Sequence, residues 1–260
     1  MLIDSHCHLD RVNLDKYNGD FDAMLLNAKR AGVSHMLCVC VDLATFSKVH
    51  AIALKYENIY ASVGIHPDEN SPDNPTFDEL VELAKKDKIV AIGETGLDYF
   101  HKGDREEQKE RFRMHIEVAK VVNKPLIIHT RDAREDTINI MREAGAQQVG
   151  GVMHCFTEDY AMAEKAMALG FYISFSGIVT FKNAKALQEV AQKIPLDRML
   201  IETDSPYLTP DPYRGKSNEP AYVSIVADKI AQLRGVSFEE VAAKTTQNFF
   251  ELFKGCNAKT

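Results

Sequence analysis

Cysteine is scarce in this chain and badly spaced for clips. Of 260 residues only five are cysteine, Cys7, Cys38, Cys40, Cys155 and Cys256, and none forms a C-x-x-C pair. That excludes a cysteine-clipped zinc site and a dithiol redox motif, and the odd count argues against a disulfide framework. Long apolar runs are missing too. None approaches the roughly 18 residues that cross a bilayer. No basic segment followed by an apolar block opens the chain, so the expectation is a cytoplasmic protein with reduced thiols and no membrane partner. Excess positive charge is absent: the net charge is −7 at pH 7. This excludes a broad electrostatic grip on nucleic acid. It leaves open an enzyme whose positive charge is local and partly carried by metal ions. There is no low-complexity tract, and no glycine-rich phosphate loop follows the first apolar segment, which disfavours an open dinucleotide-binding sheet.

What the chain does have is a rhythm of short β-branched runs, polar loops and amphipathic stretches. The runs Leu2–Asp4, His35–Cys40, Ile59–Val63, Ile89–Ile92, Pro125–Ile128, Gly151–Met153, Phe171–Phe175 and Arg198–Ile201 read as strands. Between them apolar residues recur at helical spacing, as in Phe21, Leu25 and Ala28 or Phe112, Ile116 and Ala119. Strands alternating with helices imply parallel βαβ units. Eight such units in about 250 residues fit a closed (β/α)8 TIM-type barrel. Residues from about Ser237 to Phe253 read as one extra C-terminal helix, with Ser237 as N-cap and Glu240 completing a capping box. No linker divides the chain, so residues 1–260 are expected to form a single domain.

The unusual polar residues fall at one recurrent place. His6 and His8 follow the first run, His66 the third, Glu94 the fourth, His129 the fifth and His154 the sixth, and Asp204 lies just past the eighth. In a parallel barrel all those strand ends share one face, where barrel active sites lie. Four imidazoles and two carboxylates, without a thiolate among them, suit borderline or hard divalent cations. Six ligands exceed the needs of one tetrahedral zinc with an open position and suit two metals bridged by a carboxylate. Glu94 is the expected bridge. It is assigned with His6, His8 and Asp204 to one ion, and with His129 and His154 to the other. Such ions activate water, and Asp204 is the expected general base, which makes Asp204 and Glu94 the candidate catalytic pair. Cys155 reads as a buried small hydrophobe.

Several candidates follow for a phosphodiester substrate. His66 would donate to a phosphate oxygen, and Arg131 has the fork geometry for phosphate. Arg214 and Lys216 lie in a loop after the eighth strand. Tyr99 is placed to stack a terminal base, while Phe100 reads as a hydrophobic plug.

The segments IDSHCHLD (3–10), VGIHP (63–67), IGETGLDYF (92–100), KPLIIHTRDA (124–133), GGVMHCFTED (150–159), GFYISFSGIVTF (170–181), LIETDSPYL (200–208), PYRGKSNEP (212–220) and TTQNFFELF (245–253) resemble the TatD family of metal-dependent deoxyribonucleases, in its YcfH-like branch. The resemblance spans nearly the whole chain. It implies an amidohydrolase-like barrel and metal ligands at His6, His8, Glu94, His129, His154 and Asp204. It also implies two divalent ions (Mg, Zn or Mn), 3′–5′ exonuclease activity and DNA as substrate, mainly single strands or 3′ ends. A monomer or weak oligomer is expected. The competing enzyme reading is hydrolysis of a small amide, lactone or phosphoester on the same barrel. Many such hydrolases bridge their metals with a carboxylated lysine, a place held here by Glu94.

Overall fold

The computed structural model describes residues 1–69, 75–101 and 103–256. All eight expected strands are present: β1 (Leu2–Cys7), β2 (Val33–Cys38), β3 (Ile59–Val63), β4 (Ile89–Asp98), β5 (Leu126–Arg131), β6 (Gly151–Met153), β7 (Phe171–Phe175) and β8 (Met199–Ile201). They form one parallel sheet in chain order. A helix follows each strand in turn: α1 (Phe21–Arg30), α2 (Leu43–Lys55), α3 (Phe77–Ala84), α4 (Arg105–Val122), α5 (Arg134–Glu143), α6 (Tyr160–Ala168), α7 (Lys185–Lys193) and α8 (Val223–Arg234). The additional α9 (Phe238–Leu252) ends the described chain's regular structure.

Between β8 and β1 the sheet is joined by side chains as well as backbone. The Asp204 N–H donates to His6 O at 2.9 Å, and the His8 N–H to Ser205 O at 2.8 Å. Below them the Ser5 hydroxyl donates to Ile201 O at 2.9 Å. The Asp4 carboxyl accepts from the Thr203 N–H at 2.8 Å and contacts the Thr203 hydroxyl at 2.5 Å. Burial pushes the Asp4 carboxyl up to about 8, against these hydrogen bonds, which favour its ionised form. The seam thus ties the two strands that carry His6, His8 and Asp204 toward one another.

Strand alternation sorts the core into two clusters. Leu2, Met36, Ile59, Ile92, Leu126, Met153, Ile173 and Ile201 face the helices. Ile3, Leu37, Tyr60, Val90, Ile127, Val152, Tyr172 and Leu200 fill the barrel interior, together with Phe249 and Phe253 of α9. The extra helix packs on β1 and β8 and closes the end of the barrel away from the candidate site. Ser237 caps it by accepting from the Glu240 N–H at 3.1 Å. The expected capping box is only half made there: the Ser237 side chain accepts, and no bond from the Ser237 N–H to the Glu240 carboxylate accompanies it. A complete box stands at Thr76 and Glu79, opening α3.

Strand β4 runs to Asp98, well beyond its expected end at Ile92. Two glycines explain the extension. A Cβ at Gly93 (φ 145°) would lie 2.6 Å from Ile127 O, and one at Gly96 (φ 134°) would lie 2.0 Å from His129 O. Only glycine lets the β4 backbone run this close to β5. The register shifts between Ile92 and Thr95, and pairing then continues to Arg131. The polar letters of Gly93-Glu94-Thr95-Gly96 conceal that continuation in the sequence.

Replacing Phe249 by alanine opens a cavity where α9 enters the barrel and is expected to cost about 3–5 kcal/mol. Chemical denaturation of the variant checks this, and a midpoint equal to the parent's would contradict the plug.

Candidate metal centre

The donor residues reach one place because their own backbones prolong the barrel ladder. Beyond the strand ends, His154 N–H donates to Ile128 O at 3.0 Å and His66 N–H to Val41 O at 2.8 Å. Within β4, the Glu94 N–H donates to Cys40 O at 2.9 Å. Each side chain is therefore fixed in height by a neighbouring strand, not carried on a free loop.

Glu94 is the centre of the arrangement. One carboxylate oxygen, Oε2, lies 3.4 Å from His6 Nε2. The other, Oε1, lies 2.8 Å from His154 Nε2, 3.2 Å from His129 Nδ1 and 3.4 Å from His66 Nε2. His6 Nε2 and His8 Nε2 are 3.3 Å apart. Asp204 Oδ1 stands 3.6 Å from the first and 3.2 Å from the second. Donor atoms separated by about 3 Å enclose a divalent cation held by bonds of about 2 Å. Among the described residues three such groups occur: His6 with His8 and Asp204, His66 with Glu94 and His129, and His6 with His154 and Glu202. The two oxygens of Glu94 face different groups, as a bridging carboxylate must. The His6 and His154 rings stack at 3.9 Å with a 15° interplanar angle, which brings the two sets side by side.

The imidazoles and carboxylates of the cluster set one another's charge. Burial pushes Glu94 up, but His154, His66 and His129 outweigh it and keep the carboxylate well below the usual range. Burial likewise lowers His154, yet Glu94 and Glu202 raise it well above an ordinary imidazole. His8 is raised by Asp204 against its burial, and His129 by Asp98 and Glu94. Burial and the neighbouring His154 push His6 down. The carboxylates thus favour protons on their imidazole partners, and a metal bound here would compete with those protons.

Comparison with known proteins agrees with this chemistry. The family model described as TatD related DNase matches residues 3–254. The chain belongs to the TatD DNase family. It is 47% identical over 253 residues to the protein named uncharacterized metal-dependent hydrolase YcfH of Escherichia coli strain K12, covering 97% of this chain and 95% of that one. Its identity to metal-dependent hydrolase YabD of Bacillus subtilis is 46% over 256 residues, covering 98% and 99%. The crystal structure of the TatD homologue YjjV from Escherichia coli superposes with a TM-score of 0.88 at 29% identity, over 97% of this chain and 98% of that one. A Deinococcus radiodurans organophosphorus hydrolase shares the fold, with a TM-score of 0.66 at 15% identity and coverage of 97% and 92%. This TatD protein is accordingly a metal-dependent hydrolase on a (β/α)8 barrel. Among its described residues no helix is long and apolar enough to cross a membrane.

The substrate candidates divide. His66 and Arg131 line a cavity of about 520 Å³ above Glu94, His129, His154 and Asp204. Tyr99 does not reach it: its hydroxyl donates to Asp136 at 2.6 Å, and Arg105 covers its ring. Arg214 and Lys216 are exposed on the loop after β8, stacked on Phe181 and Tyr213, outside the cavity lining. Phe100 is no plug. It is 59% exposed, because Asp98 turns the chain outward by accepting from the Phe100 N–H at 2.9 Å. Cys155 is partly buried behind Ser176, and burial pushes its thiol well up, which suits an inert side chain.

Three acidic residues escaped the sequence reading. Glu202 accepts from His154 Nδ1 at 3.1 Å and from the Cys155 N–H at 2.9 Å. Asp98 contacts His129 Nε2 at 3.2 Å, and Asp68 contacts His66 Nδ1. Each fixes one ring so that its other nitrogen faces Glu94. For Asp98 and Glu202 the available signal was an acid in a motif already singled out, IGETGLDYF and LIETDSPYL; Asp68 stands one residue past VGIHP.

Metal uptake by this TatD protein should tighten as pH rises. The raised His154, His129 and His8 bind protons more readily than ordinary imidazoles, and an ion must displace those protons. Affinity is expected to climb by up to about tenfold per pH unit for each proton released. Titration calorimetry in buffers of different ionisation enthalpy measures the release, and a pH-independent affinity would contradict the assignment.

Proposed function

We propose that this chain is a divalent-metal-dependent phosphodiesterase that removes nucleotides from the 3′ ends of DNA, preferring single strands, through one barrel domain. His6, His8, Glu94, His129, His154 and Asp204 would hold two ions (Mg, Zn or Mn), with Glu94 between them. The divided orientation of the Glu94 carboxylate supports this reading above any other observation. His66 lies within the same reach of Glu94 as the assigned ligands, so it would either complete the second ion's shell or donate to a phosphate oxygen.

When bound, the ions supply Lewis acidity and an activated water. The chain's own residues do the rest. Asp204 accepts the proton of the attacking water. Its side chain is 13% exposed, against 4% for Glu94, so it reaches the cavity from the wall. Burial raises its carboxyl, but His8, His6 and His154 prevail and keep it below its ordinary value, hence ionised at neutral pH. Arg131 faces the non-bridging oxygens of the substrate. The cavity of about 520 Å³ admits the end of a strand, not a long duplex, which agrees with a net charge of −7.

Glu94→Gln and Asp204→Asn are each expected to lower manganese-dependent release of mononucleotides from single-stranded DNA by at least about 100-fold, with the fold retained by circular dichroism. End-labelled strands report polarity. Release from 5′ ends, activity unmoved in both variants, or a wild type that cleaves only amides, lactones or small esters would overturn the proposal.

A further inference from the structure

Two arginines of the cavity lining, Arg131 and Arg11, each stand on a wall that carries an exposed aromatic ring. Arg131, the last residue of β5, lays its guanidinium 3.6 Å from the ring centroid of Phe100, just past β4. Arg11, past β1, lines the same cavity wall as Tyr207, past β8. In an eight-stranded sheet running in chain order, β1 stands opposite β5 and β4 opposite β8. The two walls therefore face each other across the mouth with Glu94 between them. Arg11, Arg131 and Tyr207 all line the cavity.

Both rings are held and both remain available. Arg131 covers one face of Phe100, yet the side chain stays 59% exposed. Tyr207 is 47% exposed, oriented by the edge of His8 at 5.9 Å and 65°. The charges differ. Arg11 is engaged by Asp42 at 2.9 Å, whereas no carboxylate among the described residues lies within ion-pair distance of Arg131. A flat, sequence-tolerant surface beside a cation is what grips an unpaired base and its phosphate.

Building on the phosphodiesterase reading above, we infer that these walls form a base clamp for single-stranded nucleic acid. One unstacked base lies on Phe100 and another on Tyr207, so that the phosphodiester between them spans Glu94. Arg131 takes a flanking phosphate, and the His8 edge sets the tilt of Tyr207. A paired duplex cannot offer an unstacked base to both walls, so strand selectivity resides in the two rings.

The test uses the full manganese-loaded chain and fluorescence anisotropy with two phosphorothioate-linked probes, hexathymidylate and an abasic strand of equal length. The wild type is expected to favour hexathymidylate. Phe100→Ala and Tyr207→Ala should each cut that preference by about fivefold or more while abasic binding holds, and Phe100→Trp should restore it. Arg131→Ala should weaken both probes alike. The clamp is overturned if the wild type shows no preference, if both alanine variants keep it, or if they lose both probes equally, as a general loosening would produce. A wild type that binds hexathymidylate selectively but cleaves no DNA sinks the phosphodiesterase reading and leaves the clamp standing. One that cleaves DNA without base preference does the reverse.

Discussion

A carboxylate almost out of reach of water, Glu94, is the constraint around which the rest of this barrel is arranged. Burying an anion costs several kcal/mol unless compensating groups surround it. Here His6 approaches one of its oxygens, and His154, His129 and His66 approach the other. The arrangement is stable as an imidazole–carboxylate cluster and chemically suited to replace protons with cations. Stability and cation affinity therefore come from the same contacts.

The fold supplies that geometry through backbone hydrogen bonds. The donor residues extend the ladder at the C-terminal ends of the strands, and the β8–β1 seam sets Asp204 against His6 through a direct 2.9 Å bond. Gly93 and Gly96 allow β4 to pass close enough to β5 for Glu94 to enter the barrel. Glu202, Asp98 and Asp68 then choose which nitrogen of each ring is turned inward. At the opposite end Phe249 and Phe253 fill the barrel, so stabilising residues and reacting residues occupy different ends.

Most of this was legible in the sequence because alternation and strand-end placement obey simple periods. The eight apolar runs matched eight strands, and the imidazoles and carboxylates after them converged. What stayed hidden had a physical cause in each case. The second half of β4 reads as a polar loop because its glycines and Glu94 meet backbone and histidines rather than an apolar core. Tyr99 and Phe100 are neighbours in the chain, yet the turn held by Asp98 sends Tyr99 to Asp136 and leaves Phe100 against Arg131 at the rim. Arg11 and Tyr207 are nearly 200 positions apart, and only closure of the sheet brings them together. The acids behind the histidines carried no period of their own and become visible only once the rings have directions.

Membership of the TatD DNase family makes this chain a metal-dependent hydrolase, and the arrangement about Glu94 is what gives the site proposed at this mouth a chemical basis. Anomalous X-ray scattering from crystals grown with manganese tests it most directly. The account predicts two peaks about 3.5–4 Å apart, one beside His6 and His8 and one beside His129, with Glu94 reaching both. A single peak, or ions seated away from Glu94, would contradict it.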